Sequence, residues 1–360
     1  MNIAFVVHHY DRSEGTGGYV VELVHRLAEQ HRVTVYARSF RAPVPPDVEI
    51  VRVHAFGGPS YATVLTFPWA FERVRQTHDV VHAQGWVTNT ADVVTAHIVL
   101  HAWRQAARAA GVRTPPGERF LGGVVERRER ALVRSVPHVI APSEKVRDEL
   151  AASYGSTRNT HVIAHGFSKV SNTATTADAR ARLRIPESPE TIALYIGDAR
   201  KGLRPAMHAV ARVPDVRLLV VGHSPSRPYL AEARDLRLAG RITWAGPLPD
   251  PTDAFHAADL LLHPTIYDAF GLVVAEAMSH GLPVIVPRTA GISELIEHDH
   301  SGWITEDSGV EITAAALRRL ASDHTMRQRL GTAGREIAAR RTWDHVAEET
   351  LAVYERVSPR

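Results

Sequence analysis

A chain of 360 residues exceeds what one hydrophobic core usually organises, so about two domains are expected. Its 44% hydrophobic and 22% charged residues are those of a folded globular protein, and the absence of cysteine excludes disulfides, thiolate metal sites and a cysteine nucleophile. The net charge of +3 rests almost wholly on arginine, because Lys145, Lys169 and Lys201 are the only lysines; basicity of that size does not choose among phosphorylated small molecules, an anionic membrane and nucleic acid.

In chain order, short β-branched runs alternate with helical periods: a strand over 3–7, a helix over 19–28, and strands at 33–36, 80–83, 93–96 and 139–141. The stretch 168–191, with Ser171, Asn172, Thr173, Pro186 and Pro189, reads as a linker around one short helix. The alternation then resumes, with strands at 192–196, 216–221, 242–244, 260–263 and 284–287. Helical segments fall at 205–213, 272–280 and 292–298, and a helical tail at 344–357. Such strands suit parallel sheets covered by helices on both faces. An eightfold βα barrel is the rival, but the polar interruption and the tail favour two doubly wound domains. No run is apolar and long enough for a signal peptide or a membrane span, so a cytoplasmic location is expected.

The most informative stretch follows the strand at 260–263. A loop there leads to Phe270-Gly271, which opens a helix whose first free amides suit an anion or sugar hydroxyl. Asp268 stands just before that helix and Glu276 about two turns into it, which puts the carboxylates roughly 9 to 12 Å apart. Paired glycosidase carboxylates lie about 5 to 9.5 Å apart, so this spacing suits gripping two parts of an extended ligand. For an isolated pair, a helix cap at Asp268 and a solvated Glu276 would be the plainer reading.

The whole stretch reads Asp268, Phe270-Gly271, Glu276-Ala277-Met278, Gly281-Leu282-Pro283-Val284 and Gly291-Ile292-Ser293-Glu294-Leu295. In that order it resembles the donor-binding motif of the retaining glycosyltransferases of family four, whose fold is GT-B: two doubly wound Rossmann-like domains facing each other across a cleft. The resemblance implies that Asp268 binds the donor sugar, that Ala269, Phe270, Gly271 and Leu272 offer amides to sugar or phosphate, and that Glu276 binds the ribose. The family's first acid is Glu, and here it is Asp268. The implied domains are residues 1–168 plus 344–360 for the acceptor, the last helix crossing back, and 169–343 for the donor.

Gly197-Asp198-Ala199-Arg200-Lys201-Gly202 follows the strand at 192–196, where a glycine turn with two cations can neutralise a diphosphate. A solvated basic turn is the alternative, and cations at a helix start face the positive end of its dipole. Family members hold the donor phosphates with an Arg and a Lys here, which the resemblance carries to Arg200 and Lys201. The short form of this loop resembles the branch of lipopolysaccharide core glucosyltransferases. The family's base pocket is main chain, which falls at Gly246 and Leu248.

Gly15-Thr16-Gly17-Gly18 precedes the expected first helix and fails the dinucleotide fingerprint, because the sixth position is Val20. The family's Gly-Gly pair near the donor phosphates corresponds to Gly17 and Gly18. His97 follows the strand at 93–96 at its carboxyl end, where open α/β sheets place functional groups and the family has a histidine near the reacting sugar. His82 is a weaker candidate. Residues 100–135 hold eight arginines against three glutamates, a basic face suited to anionic headgroups or to the acceptor side.

The expectation is therefore transfer of a hexose from a nucleotide-diphosphate sugar, UDP or GDP, to a hydroxyl of a small molecule, saccharide or lipid-linked acceptor, with retention as the family implies. No cofactor or metal is expected, since no Asp-x-Asp motif occurs. Nucleic-acid binding has no aromatic-basic platform to support it. Membrane contact through 100–135, at the inner face, is a further expectation. A same-fold epimerase or hydrolase and a non-catalytic sugar-nucleotide module are the alternatives.

Overall fold

The computed structural model describes residues 1–56, 60–112, 116–155, 159–168, 170, 175–222 and 227–357, with the side chains of 60–62 and 116–120 outside the description. Residues 113–115 of the basic stretch, and 169 and 171–174 of the expected linker, lie outside the described residues. The chain divides into two compact units, Met1–Gly166 with Trp343–Arg360, and Phe167–Thr342.

The first unit runs β1 (Asn2–Tyr10), α1 (Gly15–Leu27), β2 (Arg32–Phe40), β3 (Glu49–Arg52), α2 (Ser60–Val74), β4 (Val80–Gln84), β5 (Val93–Thr95), α3 (Leu100–Ala109), α4 (Pro116–Ser135), β6 (His138–Ala141), α5 (Glu144–Tyr154) and β7 (Thr160–Val162). Its strands form one parallel sheet in the order β3-β2-β1-β4-β5-β6-β7. Parallel neighbours cannot be joined by tight turns, so helical crossovers cover the sheet and leave β1 and β4 buried on both faces. β1 lies between β2 and β4, so the crossovers leave it in opposite directions and the topological switch falls beside it.

The second unit contains α6 (Thr176–Arg182), β8 (Thr191–Ile196), α7 (Ala199–Ala211), β9 (Val216–Val221), α8 (Arg227–Asp235), β10 (Ile242–Gly246), α9 (Thr252–Ala257), β11 (Leu260–Leu262), α10 (Leu272–Ser279), β12 (Val284–Pro287), β13 (Trp303–Thr305), α11 (Val310–Ser322) and α12 (His324–Arg340). Its parallel sheet has the order β10-β9-β8-β11-β12-β13. Leu218 and Val220 of β9, Leu203 and Met207 of α7 and Leu317 of α11 share one core, continuous with Leu260 and Leu262 of β11. Each such side chain contributes roughly 1.5–3 kcal/mol by leaving water.

α13 (Trp343–Tyr354) returns to the first unit. There the Tyr354 hydroxyl meets His82 Nδ1 at 2.6 Å, and Asp344 accepts from Arg26 of α1 at 2.5 Å. Gly166 lies so close to Trp343 that a Cβ on it would come within 2.6 Å of the Trp343 amide nitrogen.

Three local expectations change. α1 begins at Gly15, so Gly17 and Gly18 are in its first turn and not in a loop before it. α7 begins at Ala199, because the Asp198 side chain caps it by accepting the Arg200 N–H at 2.9 Å. The segment expected as a helix at 292–298 is a single 3-10 turn, Gly291–Leu295. Among the described residues no helix is long and apolar enough to cross a membrane.

Candidate active site

In the second unit, β8 and β11 are adjacent, and the turns at their carboxyl ends are stitched together. Ile266 N–H donates to Lys201 O at 2.8 Å. Gly202 packs on the exit from β11, where a Cβ would stand 2.4 Å from Pro264 O. Glycine is therefore required there, and its contact carries Lys201 to the loop after β11. Lys201 Nζ donates to Asp268 Oδ2 at 3.2 Å.

Asp268 is fixed through its backbone. Its N–H donates to Thr289 O at 3.2 Å, and its carbonyl accepts the Gly291 N–H at 3.1 Å. Buried His263, the residue after β11, brings Nε2 to 3.4 Å from the same Asp268 Oδ2. Burial alone would raise the Asp268 carboxyl, but the Lys201 ammonium and His263 more than offset it and hold the group well below the usual carboxylate range. Asp268 is an anion at any working pH.

Three residues on, Gly271 takes φ 111° and caps α10. That left-handed conformation suits glycine, and it turns the chain from the Asp268 bridge into the helix. The first intrahelical bonds run from Val274 and Ala275 to Gly271 O, at 2.9 and 3.3 Å, so the Leu272 and Val273 amides have no acceptor inside the helix. Ala269 and Phe270 are buried, and Leu272 is half-buried. Glu276, half-buried on α10, has its carboxyl pushed up to about 7 by burial and then by the Asp250 carboxylate. An acid held partly neutral this way can accept hydroxyls strongly once a ligand favours its ionised form.

The structure brings Lys201 and Asp268 together and holds Arg200 elsewhere. The exposed Arg200 guanidinium lies on Asp198, with Nη2 at 2.7 Å and Nε at 3.0 Å from Oδ2, and Asp198 O takes the Tyr195 hydroxyl at 2.8 Å. Asp198 thus answers the two cations at the positive end of α7. Gly246 ends β10 at φ 70°, its carbonyl accepting Gly222 N–H at 2.9 Å, and Leu248 follows half-buried. Sequence reasoning missed His263 as a site residue. Its one signal was a histidine at a strand's carboxyl end, five positions before the acid.

In the first unit, His97 Nε2 donates to Gln84 Oε1 at 2.8 Å, and its ring packs on Tyr19 with centroids 5.0 Å apart. Burial pushes His97 down to about 3, so at neutral pH it is an uncharged imidazole with Nδ1 as its acceptor. His82 is fully buried between the Tyr354 hydroxyl and Thr95, which makes it core. Gly17 lies against main chain, where a Cβ would come within 2.4 Å of Asp11 O, and Gly18 follows in the same turn. In the basic stretch two of the carboxylates are internal ties: Glu126 takes Arg104 and His101 at 2.5 and 2.7 Å, and Glu129 takes the Leu100 N–H at 3.0 Å. Arg108, Arg127, Arg128 and Arg134 stay exposed.

Comparison with known proteins agrees with this geometry. The family model Glycosyltransferase Family 4 matches residues 13–168, and the model Glycosyl transferases group 1 matches residues 190–323. A D-inositol 3-phosphate glycosyltransferase of Streptomyces bingchenggensis is 28% identical over 94% of this chain and 84% of its own. WaaG, a glycosyltransferase involved in lipopolysaccharide biosynthesis, superposes with a TM-score of 0.80 at 20% identity, over 99% of each chain. HepE of Anabaena, in complex with UDP and glucose, superposes with a TM-score of 0.76 at 21% identity, over 98% of this chain and 99% of its own. Two glycosyltransferase models that between them span most of the sequence, over two Rossmann-like parallel sheets, establish that the chain is an enzyme of glycosyltransferase family four with the GT-B fold.

Proposed function

We propose that the chain moves a hexose from a nucleotide-diphosphate sugar to a hydroxyl acceptor, with retention of anomeric configuration and without a metal or cofactor. One observation carries this reading: Lys201 Nζ lies 3.2 Å from the half-buried Asp268 carboxylate, next to the start of α10. An ammonium beside amides without helical acceptors answers the charge of a diphosphate, while a fixed anion accepts sugar hydroxyls. Glu276, farther along α10, takes the ribose. The UDP held by HepE supports a uridine nucleotide as the donor carrier.

In this reading the departing phosphate oxygen removes the acceptor proton on the face where the new bond forms, so no protein nucleophile is needed. Lys201 stabilises the charge developing on that oxygen, Arg200 adds positive potential from the first turn of α7, and neutral His97 hydrogen-bonds the sugar. Gly17 and Gly18 keep main chain close to the phosphates. The exposed arginines of α3 and α4 support peripheral contact with an anionic membrane surface, which sedimentation with anionic vesicles at low salt checks.

The test is a panel of UDP-, GDP- and dTDP-hexoses scored by thermal shift, then by turnover in EDTA with the product anomer read by NMR. One donor should stabilise the protein by about 2.7 kcal/mol at roughly 100 times its dissociation constant. An inverted product, or loss of turnover in EDTA, overturns the mechanism. Donor consumption without transfer to any acceptor marks a hydrolase.

A further inference from the structure

The amino end of α7 already holds an anion of the chain's own. Asp198 O accepts the Lys201 N–H at 2.9 Å and the hydroxyl of buried Tyr195 at 2.8 Å, which fixes the residue against the base of the helix. Its Oδ1 accepts the Arg200 N–H at 2.9 Å, and its Oδ2 takes the Arg200 guanidinium at 2.7 Å from Nη2. A helix-start amide and a guanidinium are the donors that proteins offer to phosphate. Here one carboxylate has taken both.

Neither capping nor stability asks for that charge. Asn or Ser caps a helix about as well as Asp. The ion pair is also largely open to solvent, with 59% of the Arg200 side chain and 39% of the Asp198 side chain exposed, and such pairs add little to stability. What Asp198 does change is the local electrostatics. Lys201 pairs with Asp268 at 3.2 Å and Arg200 with Asp198 at 2.7 Å, while Arg204, one turn beyond Arg200, meets Glu232 at 2.8 Å. Each arginine and lysine in the first two turns of α7 thus has its own carboxylate. Burial and then the Asp198 carboxylate push the Tyr195 hydroxyl up, and Asp268 adds to the shift, so both acids act on one point.

The nucleotides that meet such a site before and after transfer differ by one charge. A nucleotide-diphosphate hexose carries one negative charge on each phosphate. Once the hexose has left, the terminal phosphate takes on a further charge above a pKa of about 6. A site with unanswered cations holds that product more tightly than the donor, and turnover then waits on product release. A site whose cations are already answered loses this bias.

We infer that Asp198 sets the discrimination between donor and product: its carboxylate offsets the Arg200 charge and so weakens the hold on the nucleoside diphosphate left after transfer more than the hold on the sugar nucleotide. Asp198 is then a specificity-determining residue that acts by charge, without touching the reacting atoms. This inference rests on the transferase reading above.

The test compares UDP with the UDP-hexose that the donor panel selects, by calorimetric titration of the full chain at a pH of about 8, where the terminal phosphate is fully ionised. Asp198→Asn keeps the cap and removes the charge, and it should tighten UDP about fivefold relative to the UDP-hexose. The inhibition constant of UDP against the donor should fall by a similar factor, and about 1 M salt should screen most of the change. Asp198→Glu keeps the charge and should keep the ratio of the unaltered protein. Arg200→Gln should shift the ratio the opposite way, and the double variant Asp198→Asn with Arg200→Gln should return it. Thermal melting of each variant checks that it folds. An unchanged ratio in Asp198→Asn, a shift that salt does not screen, or the same shift in Asp198→Glu overturns this inference alone. Absence of binding of UDP and of every UDP-hexose by the unaltered protein overturns the transferase reading and this inference with it.

Discussion

One oxygen of Asp268 serves two neighbours, Lys201 Nζ at 3.2 Å and His263 Nε2 at 3.4 Å, and its other oxygen has no hydrogen bond among the described residues. On the proposed reading, a hydroxyl of the donor sugar docks there without breaking the Lys201 pair. Lys201→Ala should lower kcat/KM by roughly 10² to 10³, the equivalent of about 2.7 to 4 kcal/mol for a preorganised charge-stabilising donor. Steady-state kinetics at saturating acceptor checks this, and unchanged turnover would remove Lys201 from the chemistry. Glu276 gives a prediction with a sign. Its folded-state carboxyl is raised from 4.5 to about 7, so its contribution to stability is full below 4.5 and is lost as pH rises through 7. A ribose-gripping carboxylate must ionise, so UDP affinity should fall as pH drops from 8 to about 5.5, and Glu276→Gln should flatten the profile.

Gly202 decides where α7 sits. A methyl there would press on Pro264 O, a main-chain atom with little freedom to yield, so Gly202→Ala should cost about 1 to 3 kcal/mol of stability. It should also weaken UDP binding, because Lys201 would move away from Asp268. Urea denaturation and titration calorimetry read the two effects. The inner strands were legible in the sequence, since apolar runs buried on both faces leave an unbroken β-branched signature, as at Ile3 to Val7 and Val216 to Val221, whereas the short, largely half-buried edge strands β3, β7 and β13 were not. The position of α10 was legible for the same reason: helix period and a glycine cap are local properties. Helix starts were not. Gly15 to Gly18 have poor helix propensity and join α1 only because Gly17 fits against the main chain of residues 9 and 11. That Arg200 lies on Asp198 was not legible either, because nothing in the linear order says that Asp198 turns back to cap α7 and hold its guanidinium. His263 was hidden for a longer-range reason, since its distance to Asp268 is set by how the chain returns from Thr289.

Across the molecule, titration pulls in two directions. Burial pushes His82 and His97 down to about 3 and His8 down to about 4, while an unfolded chain protonates them near 6.5. Their share of stability is thus present above 6.5 and is lost as pH falls toward 3. Glu129, raised to about 7 by burial despite its bonds from Tyr154 and Leu100, acts with Glu276 in the opposite sense. Melting temperature should therefore rise from pH 4, peak at about 6 to 7 and decline slightly above it, and calorimetric scans across that range check the shape. The return of α13 also bears on how the chain is made. Residues 167–342 leave the ribosome before Trp343 and Tyr354, so the second body has all of its own strands while His82 still waits for its phenol. The half that emerges first is thus the last to close, and a chain ending at residue 342 carries one finished body and one open one.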